Sequence, residues 1–157
     1  MRKLAVVPLI GAVVVGWTAR TERDVVVAQA RKPIIVTRLF TGRDGKTHVE
    51  NTEVKLTRAG QSAPRAPDAE ASDTVKVIDL RFRRTPANHA VDFHTAPQRQ
   101  YVVTLSGRGE IELEDGTKIP LTPGHVLLAE DTTGKGHITR NVGSEDRLSL
   151  LIQLADR

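Results

Sequence analysis

The stretch VDFHTAPQRQYVVTLSG, residues 91–107, decides the fold of this chain. Two polar side chains, Asp92 and His94, stand two positions apart, and residues 100–105 are rich in β-branched and aromatic types. Such residues favour strands, and side chains two apart in a strand point to the same face. The stretch therefore predicts two strands interrupted at Pro97, with Asp92 and His94 side by side on one face.

The chain after this stretch alternates short apolar segments with turn residues. Asp115-Gly116 is a strong hairpin signal, and residues 122–124 and 143–146 have the composition of turns. The last segment, residues 148–154, carries leucine or isoleucine at every second position. Strands that recur about every eight to twelve residues are typical of a β-sandwich or β-barrel. We therefore predict an all-β fold, a single and mostly antiparallel β-barrel.

Strand patterns also precede residue 91. Residues 33–40 and 47–57 predict an opening hairpin, and residues 74–83 predict a further strand. Between them, residues 58–73 have no periodicity and are rich in Ala, Pro, Ser and acidic residues, which predicts a flexible insertion within one domain. In the 74–83 strand three apolar side chains share one face and three charged side chains share the other: Ile78, Leu80 and Phe82 against Asp79, Arg81 and Arg83.

The N-terminal residues 1–30 do not have the pattern of the barrel. After Arg2 and Lys3, residues 4–17 form an apolar run without a charge. This run is shorter than the roughly twenty residues that span a bilayer, but it suits the core of a signal peptide. We predict an exported protein, periplasmic or extracellular, with cleavage after Ala30 or near Ala19. Retention of the segment as an uncleaved membrane anchor stays open, and it is the only membrane contact that the sequence suggests.

Composition excludes several classes of function. The net charge of +4 comes from scattered residues, without an arginine-rich run interleaved with aromatic residues, so no nucleic-acid surface is predicted. The chain has no cysteine, which excludes disulfides, thiolate metal sites and a cysteine nucleophile.

A second polar cluster, residues 137–141, follows about thirty residues after the first and begins with His137. The two clusters together resemble the two sequence motifs of the cupin family, small β-barrels of the jelly-roll type. The matching residues are Asp92-Phe93-His94, Gln100, Gly107, Gly116, Pro123-Gly124 and His137 with Asn141. The resemblance covers residues 74–154 and implies that residues 31–157 form one jelly-roll domain. Residues 131–136 are predicted to form a rim loop beside His137, with Glu130 or Asp131 near the polar cluster.

The resemblance also implies a candidate metal site. Metal-binding cupins use three histidines and a glutamate, and the matching positions here hold Asp92, His94, Gln100 and His137. Two imidazoles with a carboxylate and an amide oxygen suit Fe(II), Mn(II), Ni(II) or Zn(II). The exchange of His for Asp and of Glu for Gln keeps the formal charge of the set unchanged.

Two hypotheses of function remain open from the sequence. In the first, the barrel binds a small polar molecule through a divalent metal held by His94 and His137, with Tyr101, Arg140 and Asn141 as further ligand contacts. If that site is catalytic, the resemblance implies a metal-dependent dioxygenase or isomerase. In the second, the same residues hydrogen-bond one another in a metal-free binding or assembly module, whose exposed face forms a homodimer. The sequence decides neither the ligand nor whether the protein is an enzyme.

Overall fold

The computed structural model describes residues 32–58, 65–66 and 68–155, and these form strands and connecting turns without a helix. Within these ranges no helix is long and apolar enough to cross a membrane. The all-β prediction is confirmed for this part of the chain. The predicted signal or anchor segment, residues 1–30, and residues 59–64 and 67 of the predicted insertion lie outside the described residues, and these calls stay predictions.

Twelve strands make up the described fold. They are β1 (Ile35–Thr41), β2 (Thr47–Glu53), β3 (Thr57–Arg58), β4 (Glu70–Ala71), β5 (Val77–Thr85), β6 (Ala90–His94), β7 (Gln100–Ser106), β8 (Gly109–Glu112), β9 (Lys118–Leu121), β10 (Val126–Glu130), β11 (His137–Asn141) and β12 (Arg147–Leu154). One sheet has the order β2-β1-β10-β7-β12-β5 and the second has the order β6-β11-β8-β9. The short strands β3 and β4 pair with each other at the two ends of the predicted insertion.

The last eight strands have the topology of a jelly roll. Strands β5, β7, β10 and β12 belong to one sheet, strands β6, β8, β9 and β11 belong to the other, and neighbours within each set run antiparallel. This is the two-sheet arrangement expected of that fold. The barrel is mostly antiparallel, as predicted, and the exception is the parallel pairing of β1 with β10. That pairing adds the opening hairpin to the edge of the jelly roll, and a parallel pair is allowed because the connection between the two strands is long.

Apolar side chains from both sheets fill the space between them. The main buried cluster consists of Leu39, Val102, Ile111, Leu113, Ile119, Leu121, Leu127 and Leu151. Burial of each such side chain contributes about 1.5–3 kcal/mol, so this cluster is the main source of the attraction between the sheets. At one end of this interior the buried side chains are polar and include Gln100 and His137.

Strand β5 has the opposite polarity to the other strands of its sheet. Its apolar residues Ile78, Leu80 and Phe82 are exposed, whereas Arg81 and Arg83 line the cavity between the sheets and are also accessible to solvent. The strand lies at the edge of the six-stranded sheet, beside β12. The alternation found in the sequence is therefore present, but its charged face is the one that turns towards the interior.

Candidate functional site

The polar end of the barrel contains a cavity of about 250 Å³ between the two sheets. A smaller cavity of about 100 Å³ shares four of the same lining residues, Arg83, His94, Thr139 and Arg147. The polar side chains around the larger cavity are Arg81, Arg83, His94, Gln100, His137, Thr139, Arg147 and Gln153. Since these residues come from β5, β6, β7, β11 and β12, the site is assembled by both sheets.

His94 and His137 are neighbours on adjacent strands at this end. They are register partners in the pairing of β6 with β11, and their ring centroids lie 4.7 Å apart. Nδ1 of His94 lies 2.8 Å from the backbone oxygen of Asp92, and Nδ1 of His137 lies 2.6 Å from Oδ2 of Asp131. An acceptor at Nδ1 keeps the proton on that nitrogen, so Nε2 of each ring is the atom that can accept or coordinate.

Asp131 is fully buried and contacts His137, and of the two acidic residues predicted near the polar cluster, Glu130 and Asp131, it is the one bonded to His137. Its Oδ2 accepts a second hydrogen bond, from the hydroxyl of Thr47 at 3.1 Å. Gly136 precedes His137 with a φ of +77°, and a Cβ atom there would collide with the backbone oxygen of His94. Glycine is needed at this position because it tolerates the positive φ and lets the two backbones approach. These contacts fix where β11 begins relative to the end of β6.

Gln100 is the third predicted residue that the structure brings to the cavity. It opens β7, is buried, and lies on the same face of that strand as Val102 and Thr104. Its Oε1 is a buried oxygen without a hydrogen-bond partner among the described residues. A buried amide oxygen left unpaired costs about 1–3 kcal/mol, so a bound ligand or ion that pairs with it gains that amount.

Asp92, the fourth predicted metal ligand, does not lie at the cavity with His94, Gln100 and His137. It is exposed, it does not line the cavity, and its Oδ1 accepts a hydrogen bond from its neighbour Phe93. The cause is a bulge: His137 pairs with His94 but Thr139 pairs with Val91, so β6 has one residue more than β11 between these pairs. A bulge breaks the alternation of faces, and Val91 and His94 therefore face the cavities while Asp92 does not.

The three predicted ligand contacts have different positions. Tyr101 lies on the outer face of its strand, where it packs against the small cluster that includes Val36 and Leu128. Arg140 does not line either cavity and donates to Glu112 at 2.8 Å. Asn141 lines the smaller cavity, but its amide is engaged with backbone and with an arginine. Strand alternation separates Tyr101 and Arg140 from the site.

Three arginines that were not predicted as site residues line the larger cavity: Arg81, Arg83 and Arg147. Arg147 is 1% exposed, and its Nε donates to Oδ1 of Asn141 at 2.8 Å. Burial, and next the charge of Arg83, lower the pKa of Arg147 to about 10. Burial, and next the charge of Arg81, lower the pKa of Arg83. The sequence indicated two of these arginines, since Arg81 and Arg83 alternate with apolar residues along β5 and so share one face of that strand.

The donor set can be tested for a metal by its chemistry. His94, Gln100 and His137 offer two imidazole nitrogens and one unpaired amide oxygen, which fits a divalent transition metal with three protein ligands and open positions. A carboxylate is not part of this set. In the portion of the chain that the structure describes, no group of three or more His, Cys, Asp or Glu residues is placed to hold a metal ion.

Comparison with known proteins gives similarity of structure only. No protein-family model and no curated protein sequence matches the chain. A cupin superfamily protein from Desulfitobacterium hafniense DCB-2 is 20% identical, with 55% of this chain and 74% of that chain covered and a TM-score of 0.41. A cupin domain from Bordetella pertussis Tohama I is 19% identical, with 53% and 91% covered and a TM-score of 0.41. A protein of unknown function from Rhizobium leguminosarum bv. viciae 3841 is 20% identical, with 65% and 96% covered and a TM-score of 0.42. Cupins are therefore among the solved structures to which this chain is similar. The strand order of the two sheets is that of a jelly roll, which is the fold that the sequence predicted.

Proposed function

We propose that the barrel binds a small polar molecule in the cavity between its sheets, with His94, Gln100 and His137 as the recognition residues. One observation carries the proposal. Gln100 places an unpaired buried oxygen in the same cavity as two imidazoles whose Nδ1 atoms are already engaged. Unpaired and oriented polar atoms at the end of an otherwise apolar interior are typical of a binding site.

The size of the cavity limits the ligand. About 250 Å³ corresponds to the volume of about eight water molecules, at roughly 30 Å³ each. The proposed ligand therefore has about ten non-hydrogen atoms, which is the size of a small metabolite. It enters from the polar end, because the opposite end is filled by the apolar cluster around Ile111 and Leu121.

A divalent metal held by His94, Gln100 and His137 is the second form of the same proposal. The carbonyl and the carboxylate at the two Nδ1 atoms favour it, because metal-binding histidines generally have such partners. When bound, the metal would supply a Lewis acid for the oxygens of the ligand. The backbone oxygen of Asp92 and the carboxylate of Asp131 orient the two imidazoles. The metal-free alternative uses the same atoms as hydrogen-bonding groups.

The test compares the full-length protein with a His94→Ala/His137→Ala double variant, and with His48→Ala as a control at an exposed histidine. Each protein is reconstituted with Fe(II), Mn(II), Ni(II) or Zn(II), and its metal content is measured after dialysis. Each is also titrated with glycerol, glucose, succinamide, succinate and phosphate by calorimetry.

We expect the parent and the control to bind metal, or a member of this panel, and the double variant to lose that binding. Panel binding without metal would select the metal-free form of the proposal. If neither metal nor any panel compound distinguishes the parent from the double variant, the proposal is wrong.

A further inference from the structure

Three arginines line the cavity, and two of them have no acidic partner among the described residues. Arg81, Arg83 and Arg147 line it, and no Asp or Glu among the described residues does. Arg81 is paired within its own strand, since its Nη2 lies 2.6 Å from Oδ2 of Asp79. For Arg83 and Arg147 the described part of the chain provides no ion pair. Two guanidinium groups at one cavity therefore lack a counter-charge.

Arg147 is also held in place. Its Nε donates to Oδ1 of Asn141, and Nδ2 of Asn141 donates to the backbone oxygens of Thr85 and Pro86 at 2.9 and 2.7 Å. Its Nη1 is buried and has no hydrogen-bond partner among the described residues. An unpaired donor on a buried cation is costly, and a fixed guanidinium is suited to bind a carboxylate or phosphate through two parallel hydrogen bonds.

We propose that the molecule bound in the barrel carries an acid group, and that Arg83 and Arg147 bind this group beside His94. The proposal rests on the proposed function, since it concerns the same cavity and assigns the chemical class of its ligand. Arg83 and Arg147 both line the larger and the smaller cavity, as does His94, so the acid group lies where the two cavities meet. The hydroxyl of Thr85, buried and unpaired in the same region, is a further donor.

The experiment titrates the full-length protein by calorimetry with succinate and with succinamide, which have similar shapes but differ in charge, and with inorganic phosphate. Arg83→Gln is the main variant, because Arg147 supports the local backbone through Asn141 and its loss could unfold the barrel. Arg84→Gln is the matched control: Arg84 is the next residue of β5, and it points to solvent near Asp146. Arg147→Lys keeps the charge but removes the planar group.

Binding of succinate or phosphate at least tenfold tighter than binding of succinamide is the expected result. Arg83→Gln and Arg147→Lys should each lose most of this difference, whereas Arg84→Gln should keep it. Equal binding of succinate and succinamide, lost in the His94→Ala/His137→Ala variant, would overturn this inference but leave the proposed function standing. The absence of any binding that depends on the two histidines would overturn both.

A second and independent observation concerns the outer face of β5. Ile78, Leu80 and Phe82 are 62%, 52% and 68% exposed, and they continue onto half-buried Leu150 and Ile152 of β12. Adjacent exposed apolar side chains at a sheet edge are typical of an interaction surface, since an uncovered edge invites pairing with another strand.

We propose that a second copy of this chain covers this edge by antiparallel pairing of β5 with its symmetry mate. The sequence of β5 is self-complementary in that arrangement. With Leu80 opposite Leu80 of the other copy, each Ile78 faces a Phe82 and each Asp79 faces an Arg81. Apolar residues then meet apolar residues and opposite charges meet, as a two-fold symmetric interface requires.

Sedimentation velocity of the full-length protein tests the interface. We expect the parent to be a dimer and Leu80→Asp to be a monomer with an unchanged circular dichroism spectrum. Ile35→Asp, at a residue of β1 that is 44% exposed and that three strands of the sheet separate from β5, should remain a dimer. A monomeric parent, or a Leu80→Asp protein that remains a dimer, would overturn the proposal.

Discussion

Nδ1 of His137 lies 2.6 Å from Oδ2 of Asp131, and both side chains are almost entirely buried. The carboxylate follows β10 and the imidazole opens β11, so this contact fixes the loop between the two strands at the polar end of the barrel. It also determines which nitrogen of His137 faces the cavity, because the proton stays on the nitrogen beside the carboxylate.

The first prediction concerns this contact. Asp131→Asn should weaken Zn(II) or ligand binding about 10- to 100-fold, because the amide NH2 can donate to Nδ1 of His137, which moves the ring proton to Nε2. The free energy of unfolding should fall by about 1–3 kcal/mol, since a charged hydrogen bond in a buried place is replaced. ¹⁵N NMR of the histidine rings reports the tautomer directly, and urea denaturation reports stability. Asp73→Asn, at an exposed residue, is the control; an unchanged His137 tautomer in Asp131→Asn would contradict the assignment.

The second prediction adds the carboxylate that the cavity lacks. Gln100→Glu places an acidic group in the cavity that His94 and His137 also line, at the position of the unpaired Oε1 of Gln100. A set of two imidazoles and a carboxylate is a better site for a divalent metal than a neutral set. We expect at least tenfold tighter Zn(II) binding, measured by competition with a chelating dye. Gln98→Glu, at an exposed position two residues earlier, should bind as the parent does, and equal affinities for the two variants would argue against convergence of the three residues.

The third prediction compares two glycines with positive φ, one of which also lies too close to another strand to accept a Cβ atom. Gly116 and Gly136 have φ values of +83° and +77°, but only at Gly136 would an added Cβ atom collide with another strand, at the backbone of His94. Gly116→Ala should therefore lose only about 1–2 kcal/mol for its left-handed backbone conformation. Gly136→Ala should lose about 2 kcal/mol more and should separate His94 from His137. Equal losses in urea denaturation would mean that the close approach of β6 and β11 is not important.

Most of the fold could be predicted from the sequence because turns and alternation are local properties. The residues from Gln100 to Leu154 form strands close to the predicted ones, and Asp115-Gly116 connects β8 with β9 as a hairpin. The parallel pairing of β1 with β10 could not be predicted in this way. It joins segments about ninety residues apart, and no local pattern specifies which sheet edge receives the first hairpin.

The site was predictable only where alternation is unbroken. His94, Gln100 and His137 are brought to one cavity, as the motif spacing suggested. Asp92 does not face the cavity, because a bulge in β6 changes the face of the residues before it. Bulges of this kind have no clear sequence signal. The role of Arg147 depends on Asn141 and on the backbone at Thr85, which are distant in sequence. Such a cavity arginine cannot be distinguished from a solvated one without the structure.

The last prediction uses His125, which the structure places against Thr37. The hydroxyl of Thr37 donates to Oδ1 of Asn51 at 2.9 Å, so its oxygen accepts from Nε2 of His125, also at 2.9 Å. Nδ1 of His125 is buried and has no partner among the described residues, and burial lowers the pKa of the imidazole. Because the unfolded chain binds this proton more readily, the contribution of His125 is complete above its ordinary pKa of about 6.5 and is lost as the pH falls below it.

Urea denaturation at several pH values between neutral and mildly acidic conditions measures this contribution. The stability of the parent should decrease with falling pH more steeply than that of His125→Gln, whose amide can still donate to Thr37 but does not titrate. His89→Gln, at an exposed histidine, should follow the parent. The other histidines are the same in the parent and in His125→Gln, so their effect on stability cancels when the two pH curves are subtracted. Parallel curves for the parent and His125→Gln would show that the second nitrogen of His125 can be protonated in the fold without cost, against the burial that the structure gives it.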